Sequence, residues 1–286
     1  MVFVILSILC SVLVGVLLKT VKKNNLSFYQ IITWNYVFAL LLTYVAYKPN
    51  LSVNFSHSTG YIVLWLCLLL PVVFVFQAKA IRYNGIVKTD IAQRLSLFIS
   101  LIASYYIFEE KFNTFKTIGL LCAFTAILLT LYKKDTTQSK NPNWYYLLLV
   151  LAGFGIIDVL FKKTASVNEM PFTQLLFFIF CGAMIIASLI SLYYLVTKKE
   201  QFGFGNILWG LGVGVFNFAN ISFYIKAHQA LPANPSTVFA SMNMGVILLG
   251  SAVGILVFKE KMTKLNYLGI ACSILAILCI AYSQLQ

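Results

Sequence analysis

The chain has 286 residues, 60% of them hydrophobic and only 10% charged, with a mean hydropathy of +0.89 and a formal net charge of +13. Soluble domains carry roughly 45–50% apolar and about 25% charged residues, so this composition excludes an ordinary soluble domain and places the chain in a lipid bilayer. The positive charge does not indicate nucleic acid, because the 21 basic residues cluster between apolar runs, where membrane proteins carry topology signals.

A helix needs about 20 apolar residues to cross about 30 Å of hydrocarbon. Taken in chain order, the apolar runs between polar breaks are 2–19, 28–47, 60–80, 87–107, 114–132, 143–161, 172–196, 205–225, 236–257 and 265–284. They predict ten transmembrane helices. The breaks are short, as at Lys22-Lys23-Asn24-Asn25 and Lys133-Lys134-Asp135, and leave no room for a soluble domain. The first run has no basic region before it and no small-residue cleavage site after it, so it is expected to remain in the mature protein. Cys10, Cys67, Cys122, Cys181, Cys272 and Cys279 are scattered in the apolar runs without CxxC spacing and read as small helix-packing residues.

The same passage occurs twice. Residues 108–132 align with 258–282 with nine identical pairs in 25, including Gly119 with Gly269 and Cys122 with Cys272. Ala80 falls on Ala230, Asn84 on Asn234 and Gln93 on Asn243 at the same offset. Nearer each start the offset is 144, where Lys19-Thr20 matches Lys163-Thr164 and Phe28-Tyr29-Gln30 matches Phe172-Thr173-Gln174. The chain is therefore read as a tandem duplication, 1–135 followed by 141–286, with five spans in each unit. An odd number of spans makes the second unit enter the membrane from the face where the first left. The expected fold is all-α, ten transmembrane helices in two inverted five-helix repeats, an arrangement recurrent in secondary transporters, whose substrate site lies between the halves.

Fourteen basic residues fall in the breaks after the odd-numbered spans and six in those after spans 2, 4, 6 and 8. The positive-inside rule then places both termini outside. Lys79 and Lys226 enter that count only if they lie beyond the helix ends.

An ionisable side chain within a span costs a few kcal/mol unless it has a partner or a watery cavity. Two acids qualify, Asp90 and Asp158. Asp90 precedes Arg94 by four residues, so the two either neutralise each other on one helix face or leave Arg94 to receive a carboxylate or phosphate. Asp158 precedes Lys162 by four residues. It is either a helix-end pair or a proton or cation site and the candidate for coupling. Gln77, Gln93, Asn217, Asn220 and Asn243 would be penalised by lipid and either bond between helices or line a pathway. Asn217, Asn220 and Tyr224 share one helix face by their spacing. Pro71, Gly153 and Gly155 allow kinks or close packing, and Pro232 and Pro235 suit a helix start.

These features resemble the drug/metabolite transporter superfamily, EamA type. The resemblance rests on the ten spans, the short links at Ala80-Ile81-Arg82-Tyr83-Asn84 and Ala230-Leu231-Pro232-Ala233-Asn234, and the Glu110-Lys111 and Glu260-Lys261 signatures ahead of Gly119 and Gly269. It covers nearly the whole chain. It implies a secondary carrier in the plasma (inner) membrane, often an exporter of amino acids or related small compounds, with a cavity built from spans 1, 3, 4, 6, 8 and 9 and termini in the cytoplasm. Many members carry an arginine in span 2 and a Trp-Gly pair in span 1. Here those regions read Thr33-Trp34-Asn35-Tyr36 and Val14-Gly15-Val16, which leaves the substrate class open.

Glu110 and Glu260 are expected at helix boundaries, facing water or headgroups and favouring the dipole of the helix that follows each. The pathway candidates are Gln77, Gln93, Arg94, Asp158, Asn217, Asn220, Tyr224 and Asn243. No cofactor or metal site is expected. The expected partners are a small-molecule substrate, the bilayer and protons, with a monomer or homodimer as the assembly. A membrane enzyme would need convergent catalytic groups, yet the two histidines, His57 and His228, fall in a loop and at a helix end. No ring of like charges marks a channel. The remaining alternatives are an uptake carrier for a sugar or nucleotide conjugate and a non-transporting scaffold or sensor.

Overall fold

The computed structural model describes residues 1–23, 26–52, 56–84, 86–130, 143–197, 202–257, 259 and 262–283, with the backbone alone at 19–23, 86 and 87. Their regular structure is entirely α-helical: α1 (Val2–Lys23), α2 (Phe28–Tyr47), α3 (His57–Asn84), α4 (Ile86–Leu95), α5 (Leu97–Tyr106), α6 (Thr114–Thr130), α7 (Tyr145–Ala165), α8 (Phe172–Thr197), α9 (Phe204–Ala230), α10 (Pro235–Leu256) and α11 (Lys264–Tyr282). Seven of these, α2, α3 and α7–α11, are long and apolar enough to cross a membrane, and Val2–Leu18 and Thr114–Thr130 form shorter apolar helices. Leu64, Trp65 and Leu68 on α3, Ile185, Leu189 and Leu192 on α8, and Leu275 and Leu278 on α11 are exposed. In water such faces would aggregate; in a bilayer they contact lipid.

Local chemistry sets the helix boundaries. The Ser27 hydroxyl accepts the Gln30 N–H at 3.5 Å to start α2. Thr263 and Asn266 form a reciprocal capping box on α11, which satisfies N–H groups that have no partner within the first turn. Pro235 occupies the first turn of α10, where its missing N–H costs nothing. Lys79 lies within α3 and Lys226 within α9 rather than in connecting loops.

The fourth apolar run, expected as one helix over 87–107, is two helices meeting at Ser96. The Gln93 carbonyl accepts both the Ser96 hydroxyl, at 2.6 Å, and the Ser96 N–H, at 3.3 Å. A side chain that takes a backbone carbonyl out of the ladder bends or breaks a helix. At the repeat-equivalent position Val246 has no such group, and α10 runs through unbroken.

The two halves interlock. α9 packs on α1 and α2, and in the equivalent pairing α3 packs on α7 and α8. The repeat-matched amides Gln30 and Gln174 both bond across the halves, Gln30 to α9 and Gln174 to the loop ahead of α3. Gln30 Oε1 accepts from Asn206 Nδ2 at 2.9 Å, and Gln174 Nε2 donates to the Ser52 carbonyl at 2.9 Å. The last helix of each half closes on that of the other, α6 against α11. Gly119 and Gly269 lie in this seam: a Cβ on Gly119 would stand 2.7 Å from Ile280 Cγ1, and one on Gly269 would overlap the backbone of Thr130. Asn266 Nδ2 then donates to the Thr130 carbonyl at 2.6 Å. Tyr36, Phe180 and Phe239 are the largest fully buried side chains of the shared core.

The environment of Glu110 corrects the sequence expectation. Instead of facing water beside the helix that follows it, its carboxylate is buried at 3% exposure. It accepts the Ser236 N–H at 2.8 Å, the Ser236 hydroxyl at 2.7 Å and Lys116 Nζ at 2.8 Å. Ser236 is in the first turn of α10, so the charge sits on the positive end of a helix in the other half. Glu109 and Lys259, one residue before each signature glutamate, share a left-handed backbone with φ of 52° and 51°. Lys111 lies in the short link between α5 and α6, while Glu260 and Lys261 lie outside the described residues.

Candidate transport site

Asp158 lies thirteen residues into α7, about 20 Å along the helix axis from Tyr145. Its two carboxylate oxygens accept from different helices: Oδ1 takes the Tyr224 hydroxyl of α9 at 3.0 Å, and Oδ2 takes the Ser100 hydroxyl of α5 at 3.3 Å. Lys162 does not pair with it. The Lys162 ammonium donates to the Pro232 carbonyl at 3.0 Å and stands 5.6 Å from the centre of the Phe108 ring. Among the described residues no cation lies within ion-pair distance of Asp158. A carboxylate bonded only by neutral hydroxyls leaves its charge uncompensated in a low-dielectric interior, whereas its protonated form can remain there at small cost.

The other candidates divide among separate contacts. Gln77 Nε2 donates to Gln93 Oε1 at 2.8 Å, joining α3 to α4, and Gln77 Oε1 is buried without a partner. Arg94 Nε stands 3.6 Å from Asp90, a long ion pair whose Nε makes no hydrogen bond. The sequence alternative of mutual neutralisation is thus realised in part.

On α9 the shared face predicted for Asn217, Asn220 and Tyr224 meets three different helices. Asn217 donates to Asn35 on α2 at 3.1 Å, Asn220 Oδ1 accepts from Ser7 on α1 at 2.6 Å, and Tyr224 reaches Asp158 on α7. Asn243 donates to the Phe239 carbonyl of its own helix at 3.0 Å, so the repeat-matched Gln93 and Asn243 do different things. A cavity of about 350 Å³ between α3 and α8 is lined by Val72, Val75, Leu189, Ile190, Tyr193 and Tyr194. None of the pathway candidates borders it, and its exposed Leu189 and Tyr193 place it on the outer flank.

Sequence reasoning missed Ser100, Ser7, Asn35 and His228. Serines in apolar helices commonly bond their own backbone, as Ser104 does, so no sequence signal separates Ser100 from such a residue. His228, expected at a helix end, is 0% exposed and follows Tyr224 by one turn. The offsets of the duplication held one further signal: Val14 stands where Asp158 does in the second half, Phe74 where Tyr224 does, and Gly250 where Ser100 does in the first. None of the three residues of the Asp158 cluster has a like residue at its matched position.

Among the described residues no group of three His, Cys, Asp or Glu side chains could hold a metal ion. Cys67 is buried and the other five cysteines are half-buried. Cys67 lies against Gly182 and directs its thiol to the Ile179 carbonyl at 3.5 Å.

Apolar helices with lipid-facing flanks, interhelical amides and a carboxylate held between helices define a multi-pass membrane protein. The chain belongs to the EamA-like transporter family, whose model matches residues 1–132 and again 143–282. It is a membrane transporter of that family, within the drug/metabolite transporter superfamily. An uncharacterised protein of Haemophilus influenzae is 42% identical over 286 residues, covering 97% of each chain. A solved crystal structure, described only as that of a protein, superposes with a TM-score of 0.72 at 11% identity, covering 98% of this chain and 97% of that one. The latter similarity concerns the fold alone.

Proposed function

We propose that the protein is a secondary active exporter of a small polar metabolite, such as an amino acid or a related organic compound, in the plasma (inner) membrane. Ten transmembrane helices form two inverted halves, 1–135 and 141–286, which alternate access to a site between them. Protons are the coupling ion and Asp158 is the coupling carboxylate. The observation that carries this reading is the Asp158 cluster, in which α7 and α9 of one half and α5 of the other meet on a single acidic group. A shift of one half against the other changes those bonds and hence the free energy of protonation. Coupling requires that dependence, because an ion can drive a conformational cycle only through unequal affinity for its states. Arg94 and the nearby amides Gln77 and Gln93 orient the solute.

Purified protein in liposomes, tested against a panel of amino acids and related solutes with and without an imposed proton gradient, examines the reading. Flux of a panel member that rises with the gradient supports it. Flux indifferent to the gradient removes the proton, and no flux across a broad panel favours a scaffold or sensor.

A further inference from the structure

α7 and α9 face each other with two polar positions each, one helical turn apart: Asp158 and Lys162 on α7, Tyr224 and His228 on α9. Tyr224 reaches Asp158 at 3.0 Å. One turn on, His228 is 0% exposed, and neither Nδ1 nor Nε2 has a hydrogen-bond partner. Its ring stands edge-on between the Tyr224 ring, at 4.8 Å between centroids, and the Phe239 ring, at 4.7 Å. A buried polar group left unsatisfied costs roughly 1–3 kcal/mol. An apolar side chain of similar size would fill the space between the two rings without that cost.

The surroundings of the imidazole are defined element by element. α7 brings Lys162 and, one turn away, Asp158. α10 contributes the Phe239 ring and carries no titratable side chain anywhere along its length. Lys226 on α9 points elsewhere, with its Nζ over the rings of Phe3 on α1 and Tyr47 on α2. Beyond Lys162 stand Glu110 and Lys116, which clamp the start of α10.

We infer that His228 is a second proton-carrying residue of the Asp158 site, relaying protons between the Tyr224–Asp158 pair and the end of the bundle closed by Glu110 and Lys116. The inference rests on Asp158 as the coupling carboxylate. In the relay a proton held on a His228 ring nitrogen passes, directly or through one water, to the Tyr224 oxygen while the Tyr224 hydroxyl proton moves to Asp158. Imidazolium becomes imidazole, the carboxylate becomes a carboxylic acid, and the tyrosine is unchanged. The unpaired ring nitrogens are then the free positions that a proton carrier needs.

The chain has two histidines, so His57→Gln leaves His228 as the only one. This variant, without a histidine tag, is labelled with 15N-histidine and reconstituted in lipid nanodiscs. Ring-nitrogen NMR shifts then report His228, and the part of the infrared carboxyl band that Asp158→Asn removes reports Asp158, both across pH 5–9. The relay predicts that His228 titrates in this range and that its midpoint moves by about half a pH unit or more, roughly threefold in the proton equilibrium, in Asp158→Asn. Tyr224→Phe, which removes only the bridging hydroxyl, provides the same readout should the asparagine variant not fold. A ring that stays in one protonation state throughout, or a midpoint indifferent to both substitutions, overturns the relay while a titrating carboxyl band leaves Asp158 standing. A carboxyl band that does not respond to pH overturns both.

Discussion

Glu110 accepts both the backbone N–H and the hydroxyl of Ser236, at 2.8 and 2.7 Å, across 126 positions of sequence. Together with Lys116, which also donates to Asn234 at 2.7 Å, it fixes the end of α5 to the start of α10 and so ties one half of the chain to the other. The capping of a helix by its own flanking residues is common; here the cap comes from the other half.

Glu110→Ala is expected to cost roughly 3–5 kcal/mol, because it leaves the Lys116 ammonium buried without its counter-charge. Adding Lys116→Ala should recover part of that loss, giving a double substitution less costly than the sum. Thermal unfolding of the detergent-solubilised variants measures both effects, and strict additivity would contradict the buried pair.

Gly269→Ala should destabilise by roughly 1–3 kcal/mol, since the new methyl meets the backbone of Thr130, which cannot turn aside as a side chain could. Gly15→Ala is the control, because a Cβ there has nothing within 4 Å. Equal melting temperatures for the two variants would show that the α6–α11 seam is not closely packed.

Much of this fold could be read in the residues. The duplication matched Gly119 to Gly269 and Gln30 to Gln174; the structure places the two glycines in one seam and gives each glutamine a partner in the other half. The apolar runs located the helices, although α3 and α9 extend beyond the runs 60–80 and 205–225. The runs did not show the break at Ser96, since it depends on whether one hydroxyl turns toward a carbonyl three residues back. The i,i+4 spacing of Asp158 and Lys162 suggested a pair, but spacing permits a contact without selecting it, and the α9–α10 turn offered Lys162 the Pro232 carbonyl. Contacts that cross from one half to the other, such as Glu110 with Ser236, leave no periodic trace in the chain.

Glu169, in the loop between α7 and α8, is held below the usual carboxylate range by the hydroxyls of Ser56 and Thr59, the latter at 3.0 Å. A folded value below the unfolded one, about 4.3 for glutamate, means that the stabilisation is present above that pH and fades as pH falls through the lower folded value. Glu169→Gln should therefore melt below the parent at pH 7, and the gap should close towards pH 3. A gap that persists unchanged at pH 3 would rule out the ionised form as its source.

Asp158 bears the central claim, and gradient-driven transport compared with solute exchange in Asp158→Asn liposomes tests it most directly. Asparagine keeps the size, accepts from one of the two hydroxyls through its single carbonyl oxygen and turns its NH2 to the oxygen of the other, but it cannot exchange a proton. With a solute that the parent protein carries, the account predicts that flux driven by a proton gradient falls to the level without one while solute-for-solute exchange continues. Gradient-driven flux that persists in this variant at the parent's rate would contradict it.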